Sequence, residues 1–282
     1  MDKLDRQQKS LSSIENALYL TTQRSLSVAR RGLWKDLANL DLQDENMAYS
    51  QLENADLSEC EMTGANFTMA NMLGACLQGV IANHANFSLA HLRGAQMDDS
   101  AFLDTNFKHA NMQQTTLDKS VFDGSNLSFA TLLYCHANHT SFWYADISNA
   151  DFDSSFLRDS DFDEVEGDGA SFFAAHCSNA SFVYATLPNT NFCQANLSGA
   201  HFGKANLSYS ELRDANLDKA NLYCASLYDA SLKGATITNA VLTNVDLREV
   251  EISQLPFCCT ANFNNVKITL GGHEYKIHLE EI

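Results

Sequence analysis

The sequence predicts an all-β solenoid, a rod of stacked coils around a dry axis. Three observations predict it: a small residue recurs at every fifth position, a large apolar residue follows it by two, and glycine gathers at one place in the same frame. Every fifth residue from Ser50 to Val250 is Ala, Ser, Thr, Val or Cys. Two positions later, from Leu52 to Ile252, stands Leu, Phe, Met or Ile, except at Ala82, Ala137, Gly167 and Cys177. A period of five fits neither ordinary element. At ~100° per residue a helix would rotate the large residue by ~140° at each repeat and smear it around the cylinder. Five is odd, so a continuous strand would throw it to alternate faces. The chain must turn once per repeat, which keeps both residues inward. Gly64, Gly74, Gly79, Gly94, Gly124, Gly169, Gly199 and Gly234 all sit two positions after the large residue, where a corner favours a tolerant backbone.

Taken in order, residues 1–36 read as a helical cap or targeting segment. Leu11, Ile14, Leu18, Leu26 and Ala29 follow an approximately helical pattern over residues 10–32, with Ser10, Ser12 and Ser13 placed to cap it. Residues 37–255 form the repeat body. Residues 256–282 read as a C-terminal cap: the frame slips by one between Ile252 and Phe263, around Pro256. Val266, Ile268, Leu270 and Tyr275, Ile277, Leu279 then alternate about Gly271-Gly272, the pattern of a β-hairpin. Caps are expected because open solenoid ends expose unpaired strand edges. A terminal cap is also a candidate homodimer contact.

Segments such as Ala195-Asn196-Leu197-Ser198-Gly199 and Ala65-Asn66-Phe67 resemble the pentapeptide repeat family. The resemblance covers roughly residues 37–270 and implies a right-handed quadrilateral β-helix, with four repeats and hence 20 residues per coil. At that period Phe102, Phe122, Phe142, Phe162, Phe182 and Phe202 stack on one side in successive coils, a core ladder of like rings. About ten coils at ~4.8 Å make a rod ~48 Å long. Large inward residues supply burial enough for stability without a cofactor.

Composition narrows the function. The 282 residues are 45% hydrophobic with two prolines, enough for a sizeable core. No apolar run approaches the ~20 residues that cross a bilayer, and the start Met1-Asp2-Lys3-Leu4-Asp5 lacks the apolar core of a Sec signal; the expected home is the cytoplasm. The eight cysteines form no CxxC pair and read as reduced thiols, several at core positions. His136 and His176 lie two coils apart beside Cys135 and Cys177, ~10 Å by strand spacing, too far to share a metal. Neither a catalytic triad nor a phosphate-binding loop is evident, so the reading is non-enzymatic, with no metal or other cofactor.

Net charge is −17, and residues 1–35 hold seven of the 18 Lys and Arg against three acids. The remainder carries 11 bases against 32 acids, a net of −21, which argues against direct nucleic-acid binding by the rod and for a protein partner with a basic surface. The densest acidic run is Asp146, Asp151, Asp153, Asp159, Asp161, Asp163, Glu164, Glu166 and Asp168, a candidate partner-binding patch or simply a solvated face. Trp143 and Tyr144 are outward by register and are candidate aromatic contacts; Tyr184, Tyr209, Tyr223 and Tyr228 decorate later coils. Gly167 between Glu164 and Gly169 suggests a local distortion beside the acids. Some members of the resembled family mimic duplex DNA toward type II topoisomerases, which implies gyrase protection or inhibition as one specific form of this binding. DNA carries one charge per ~1.7 Å, ~28 over ~48 Å, a density comparable to the acid excess here. Other members are secreted bacterial effectors, so a targeting or interaction module delivered into a host cell is the alternative.

Overall fold

A period of five that must turn at every repeat needs a partner for each extended stretch, and the partner is the same stretch one coil later. The computed structural model describes residues 36–251, 261–270 and 273–278. Through the body, residue i bridges residue i + 20 in parallel, as in Asp56↔Cys76↔Gln96 and Asn66↔Asn86↔Asn106. Each coil therefore has four sides of one repeat each. We number them by their ladders: side 1 from Asp41 to Val241, side 2 from Asn46 to Asp246, side 3 from Gln51 to Ser231 and side 4 from Asp36 to Thr236.

One repeat accounts for its own backbone groups. The N–H of large residue Leu57 donates to Cys76 O at 2.8 Å, and Cys76 N donates back to Ala55 O at 2.9 Å. A four-residue turn then closes on the large residue, as in Ala65 N to Met62 O at 2.9 Å, with the intervening Gly64 at φ 70°. That corner position is left-handed in non-glycine repeats too, for example His84 at φ 58° and Asp104 at φ 50°. Glycine is favoured there because the region is strained for a side chain.

Small and large residues both point inward and are buried along the rod. The side 1 ladder is continuous: ring centroids are 4.8 Å apart for Phe102–Phe122, 4.7 Å for Phe142–Phe162 and 4.8 Å for Phe182–Phe202. Two shorter ladders meet it edge-on. Phe67, Phe87 and Phe107 stack on side 2 at 4.9 and 5.1 Å; Phe152, Phe172 and Phe192 stack on side 3 at 5.0 Å each. Phe152 meets Phe162 at 5.6 Å and 89°. Offset stacks along the rod and T-shaped contacts across it are the two arrangements that aromatic quadrupoles favour, worth about 0.5–1.5 kcal/mol per pair beyond burial.

Hydroxyls at the small position are buried and need partners. Ser120, Ser125, Thr140 and Ser160 donate to the carbonyls of Met97, Phe102, Leu117 and Ala137, the large-position residues of the preceding coil, at 2.6 to 2.7 Å. Where Ser100 stands, its N–H donates to Ser120 Oγ at 3.1 Å.

The distortion expected at Gly167 is absent. Asp146↔Glu166↔Thr186 keep register, and Gly167 N donates to Thr186 O at 2.8 Å. A side chain on Gly167 would meet Leu187 Cδ2 at 2.6 Å and Ile147 Cγ1 at 2.9 Å, so its neighbours in the stack already fill the space.

At the C-terminal end Val241 pairs with Asn262, a spacing of 21 that realises the one-residue slip. Strand β1 (Asp246–Leu247) pairs in parallel with β2 (Asn264–Leu270), and β2 pairs antiparallel with β3 (His273–His278), so the last coil's edge is covered by a β-hairpin. Arg248 joins the two layers, with Nη2 2.7 Å from Asp246 and Nη1 2.6 Å from Glu274. The helix expected over residues 10–32 lies outside the described residues. Among those residues no helix is long and apolar enough to cross a membrane.

Candidate binding surfaces

Outward side chains come from two places, the middle of each side and the two residues of each corner. Because residues 146–168 span little more than one coil, the acidic run winds around the rod. Asp161, Asp163 and Glu164 lie on side 1 and its following corner, Asp146, Glu166 and Asp168 on side 2 and its corner, Asp151 and Asp153 on side 3 and its corner, and Asp159 at the corner from side 4 back to side 1. It is a girdle around the rod.

Several of these carboxylates bind the backbone. Asp146, Asp151 and Asp161 accept the N–H two residues on, at 2.9, 3.0 and 2.8 Å. Asp153 and Asp163 accept Phe173 N and Val183 N of the next coil at 2.9 and 2.7 Å. Asp159 pairs with Arg158 at 3.0 Å, and Asp168 accepts Asn189 Nδ2 at 2.7 Å. Burial pushes the carboxyls of Asp151 and Asp161 above the usual range, with the neighbouring charges of Asp153 and Asp163 adding to it against the pull of the backbone N–H. Glu164, Glu166 and Asp168 are exposed.

One corner, between sides 1 and 2, brings two candidate classes together. Trp143 and Tyr144 are 46% and 64% exposed with centroids 5.8 Å apart. Asp163 and Glu164 occupy the same corner one coil on, with Tyr144 N donating to Asp163 O at 3.0 Å, and exposed Tyr184 follows in the next coil. Lys204 then donates to Tyr184 Oη at 2.6 Å and lies 4.7 Å over its ring. Tyr223 shares this corner; Tyr209 and Tyr228 sit on the next one, 5.6 Å apart.

His136 and His176 are bridged by a ring that sequence reasoning did not place: Phe156 stacks on them at 4.6 and 4.9 Å. Cys135 is fully buried and its thiol is pushed up to about 12 by desolvation; Cys177 is raised for the same reason. Both stay protonated and inert. No cluster of metal-ligating side chains occurs among the described residues. A shallow open concavity of about 500 Å³ lies on side 3, lined by Phe173, Asn191, Cys193, Gln194, Glu211, Arg213 and Asp214. Within it Arg213 Nε lies 3.0 Å from Glu211 Oε2.

The pattern that defines pentapeptide repeats matches in eight copies, over residues 46–81, 85–124, 102–132, 175–208, 195–234, 210–249 and 225–258. The chain belongs to the pentapeptide repeat family. As a pentapeptide repeat protein it is a right-handed quadrilateral β-helix. Among solved structures it is similar to HetL, a pentapeptide repeat protein involved in heterocyst differentiation regulation from the cyanobacterium Nostoc sp. strain PCC 7120. The identity is 22% over 80% of this chain and 93% of that one, with a TM-score of 0.50. It is also similar to a pentapeptide repeat protein of the Arabidopsis thaliana thylakoid lumen, 32% identical over 37% of this chain and 63% of that one, TM-score 0.15. QnrB1, a plasmid-mediated fluoroquinolone resistance protein, is 16% identical over 83% of this chain and 91% of that one, TM-score 0.28. No curated protein sequence matches the chain.

Proposed function

We propose that this pentapeptide repeat protein is a non-enzymatic binding scaffold whose acidic and aromatic corner between sides 1 and 2 engages the basic surface of a protein partner. The observation that carries the reading is the succession of Trp143 with Tyr144, Asp163 with Glu164, and Tyr184 on three consecutive coils of that corner. Aromatic side chains there offer contact area at little entropic cost, and the carboxylates between them select cations. The other acids of the girdle are turned to other sides, so the contact is an edge of the rod.

The most specific form of the reading is mimicry of duplex DNA toward a type II topoisomerase. It is supported by the family membership and by the acid excess. Two measurements separate the levels. Capture from cell extract with wild type and with Trp143→Ala, Tyr144→Ala and Glu164→Lys combined tests the corner: loss of basic partners is expected, and an unchanged set removes it. A supercoiling assay with purified gyrase tests mimicry, and no effect at high protein excess ends that branch while leaving the corner standing.

A further inference from the structure

Side 3 changes character half-way along the rod. At its corner with side 2 the N-terminal coils present Tyr49, Met69, Leu89, His109 and Phe129 in succession. Tyr49, Met69, Leu89 and Phe129 are 62%, 41%, 41% and 48% exposed. All five sit at φ between 56° and 61°, a region where bulky side chains are uncommon. The ridge thus holds apolar groups outward against both solvent and backbone preference. Leu73 and Tyr134 are exposed along the other edge of the same side. Between the two edges run Gln51, Asn71, His91, Asn111 and Thr131, all neutral or histidine.

Charge singles this surface out. On sides 2 and 3 and their corners, within residues 45–54, 65–74, 85–94, 105–114 and 125–134, Glu45 and Glu53 are the carboxylates, while Arg93 and Lys108 are cations. In a chain of net charge −17 this is a nearly acid-free half-cylinder. Farther along the same side the signs reverse. Asp151, Asp153, Glu211 and Asp214 lie there, and Arg213 and Lys233 stand toward the far end of the corner line on which Glu53 begins.

We infer that side 3 is a homodimer interface in which two copies lie antiparallel, the N-terminal half of each on the C-terminal half of the other. A two-fold axis in the contact plane and across the rods reverses direction while keeping each corner line against the same line of the second copy. Arg93 and Lys108 then face the acidic half, and Glu53 faces the end that holds Arg213 and Lys233. The apolar ridge meets the line that carries Tyr209 and Tyr228, and the side 3 concavity faces the edge of Leu73 and Tyr134. A parallel pair would instead set acid on acid. Two rods this acidic approach most closely where carboxylates are fewest. A side of five residues is at most ~17 Å wide. Along ~48 Å of rod it offers at most on the order of 800 Å² per copy, so that burial of the whole side reaches the size of a standard stable interface. The corner between sides 1 and 2 stays free, so this inference and the binding of a basic partner stand or fall separately.

Sedimentation velocity of the full chain over a wide concentration range tests it. Wild type is expected to dimerise, and Leu89→Asp with Phe129→Asp to weaken the dimer by roughly tenfold or more. Both sites tolerate Asp, since Asp99 and Asp104 occupy the same left-handed corner position. Glu53→Lys alone is expected to weaken the dimer, and Glu53→Lys with Lys233→Glu to restore it. Zero-length carbodiimide cross-linking of isotopically mixed copies should join Lys108 of one copy to acids between Asp151 and Asp229 of the other. A monomer at every concentration, a dimer indifferent to Leu89→Asp with Phe129→Asp, or cross-links between like halves overturns the inference.

Discussion

The two halves of the rod share one interior and differ in their exterior. Up to about Tyr134 the core alternates Leu, Met and Phe, and sides 2 and 3 are nearly free of carboxylates; from Trp143 onward the two phenylalanine ladders of sides 1 and 3 meet and every side carries acids. The backbone does not register the change. Bridges keep their spacing of 20 from Asp36↔Asp56 through Ser226↔Asp246. Inward residues must complement in volume the residues one coil above and below, because each packs against them along the stack. Outward residues have no such neighbour requirement beyond the corner backbone. One fold can therefore present an apolar, weakly basic surface and an acidic, aromatic one on the same molecule.

Five substitutions break or sharpen that comparison. Phe162→Ala should have the largest effect. Phe162 stacks between Phe142 and Phe182 and meets Phe152 and Phe172 edge-on, so the cavity is expected to cost about 3–5 kcal/mol in urea denaturation. Leu57→Ala in the N-terminal half, outside the aromatic ladders, should cost less. Ser120→Ala comes next: it leaves Met97 O and Ser100 N without their buried partner, for about 1–3 kcal/mol. Ser210→Ala should be nearly neutral, because Leu207 O keeps the bond from the backbone N–H of residue 210.

A small effect of the opposite sign is expected at Asp161. In the folded chain its carboxyl holds a proton to higher pH than in the unfolded chain, so the folded state gains from protonation and stability falls as pH rises through the raised folded value. Asp161→Asn can still accept the N–H of Asp163 but carries no charge beside Asp163 and Asp123. It should stabilise by a few tenths of a kcal/mol at neutral pH, the group being partly solvated, and flatten the acid-to-neutral trend in thermal melts.

The sequence by itself determined the periodicity, the side chains that face inward, the Phe102 to Phe202 ladder, the left-handed corners at glycines such as Gly64, and the slip before the hairpin. Each of these follows from a residue's relation to others five or 20 positions away, a relation visible in one dimension. Only the tertiary structure decided which outward residues share a surface. Asp146 and Asp161 are close in sequence but face different sides, whereas Trp143, Glu164 and Tyr184 share one corner across three coils, and Phe156 fills the place between His136 and His176. The coiling explains the difference: a chain that turns four times in 20 residues scatters sequence neighbours around the axis and gathers residues a coil apart. Coil geometry likewise settled Gly167, where Ile147 and Leu187 occupy the space that its missing side chain seemed to leave for a kink.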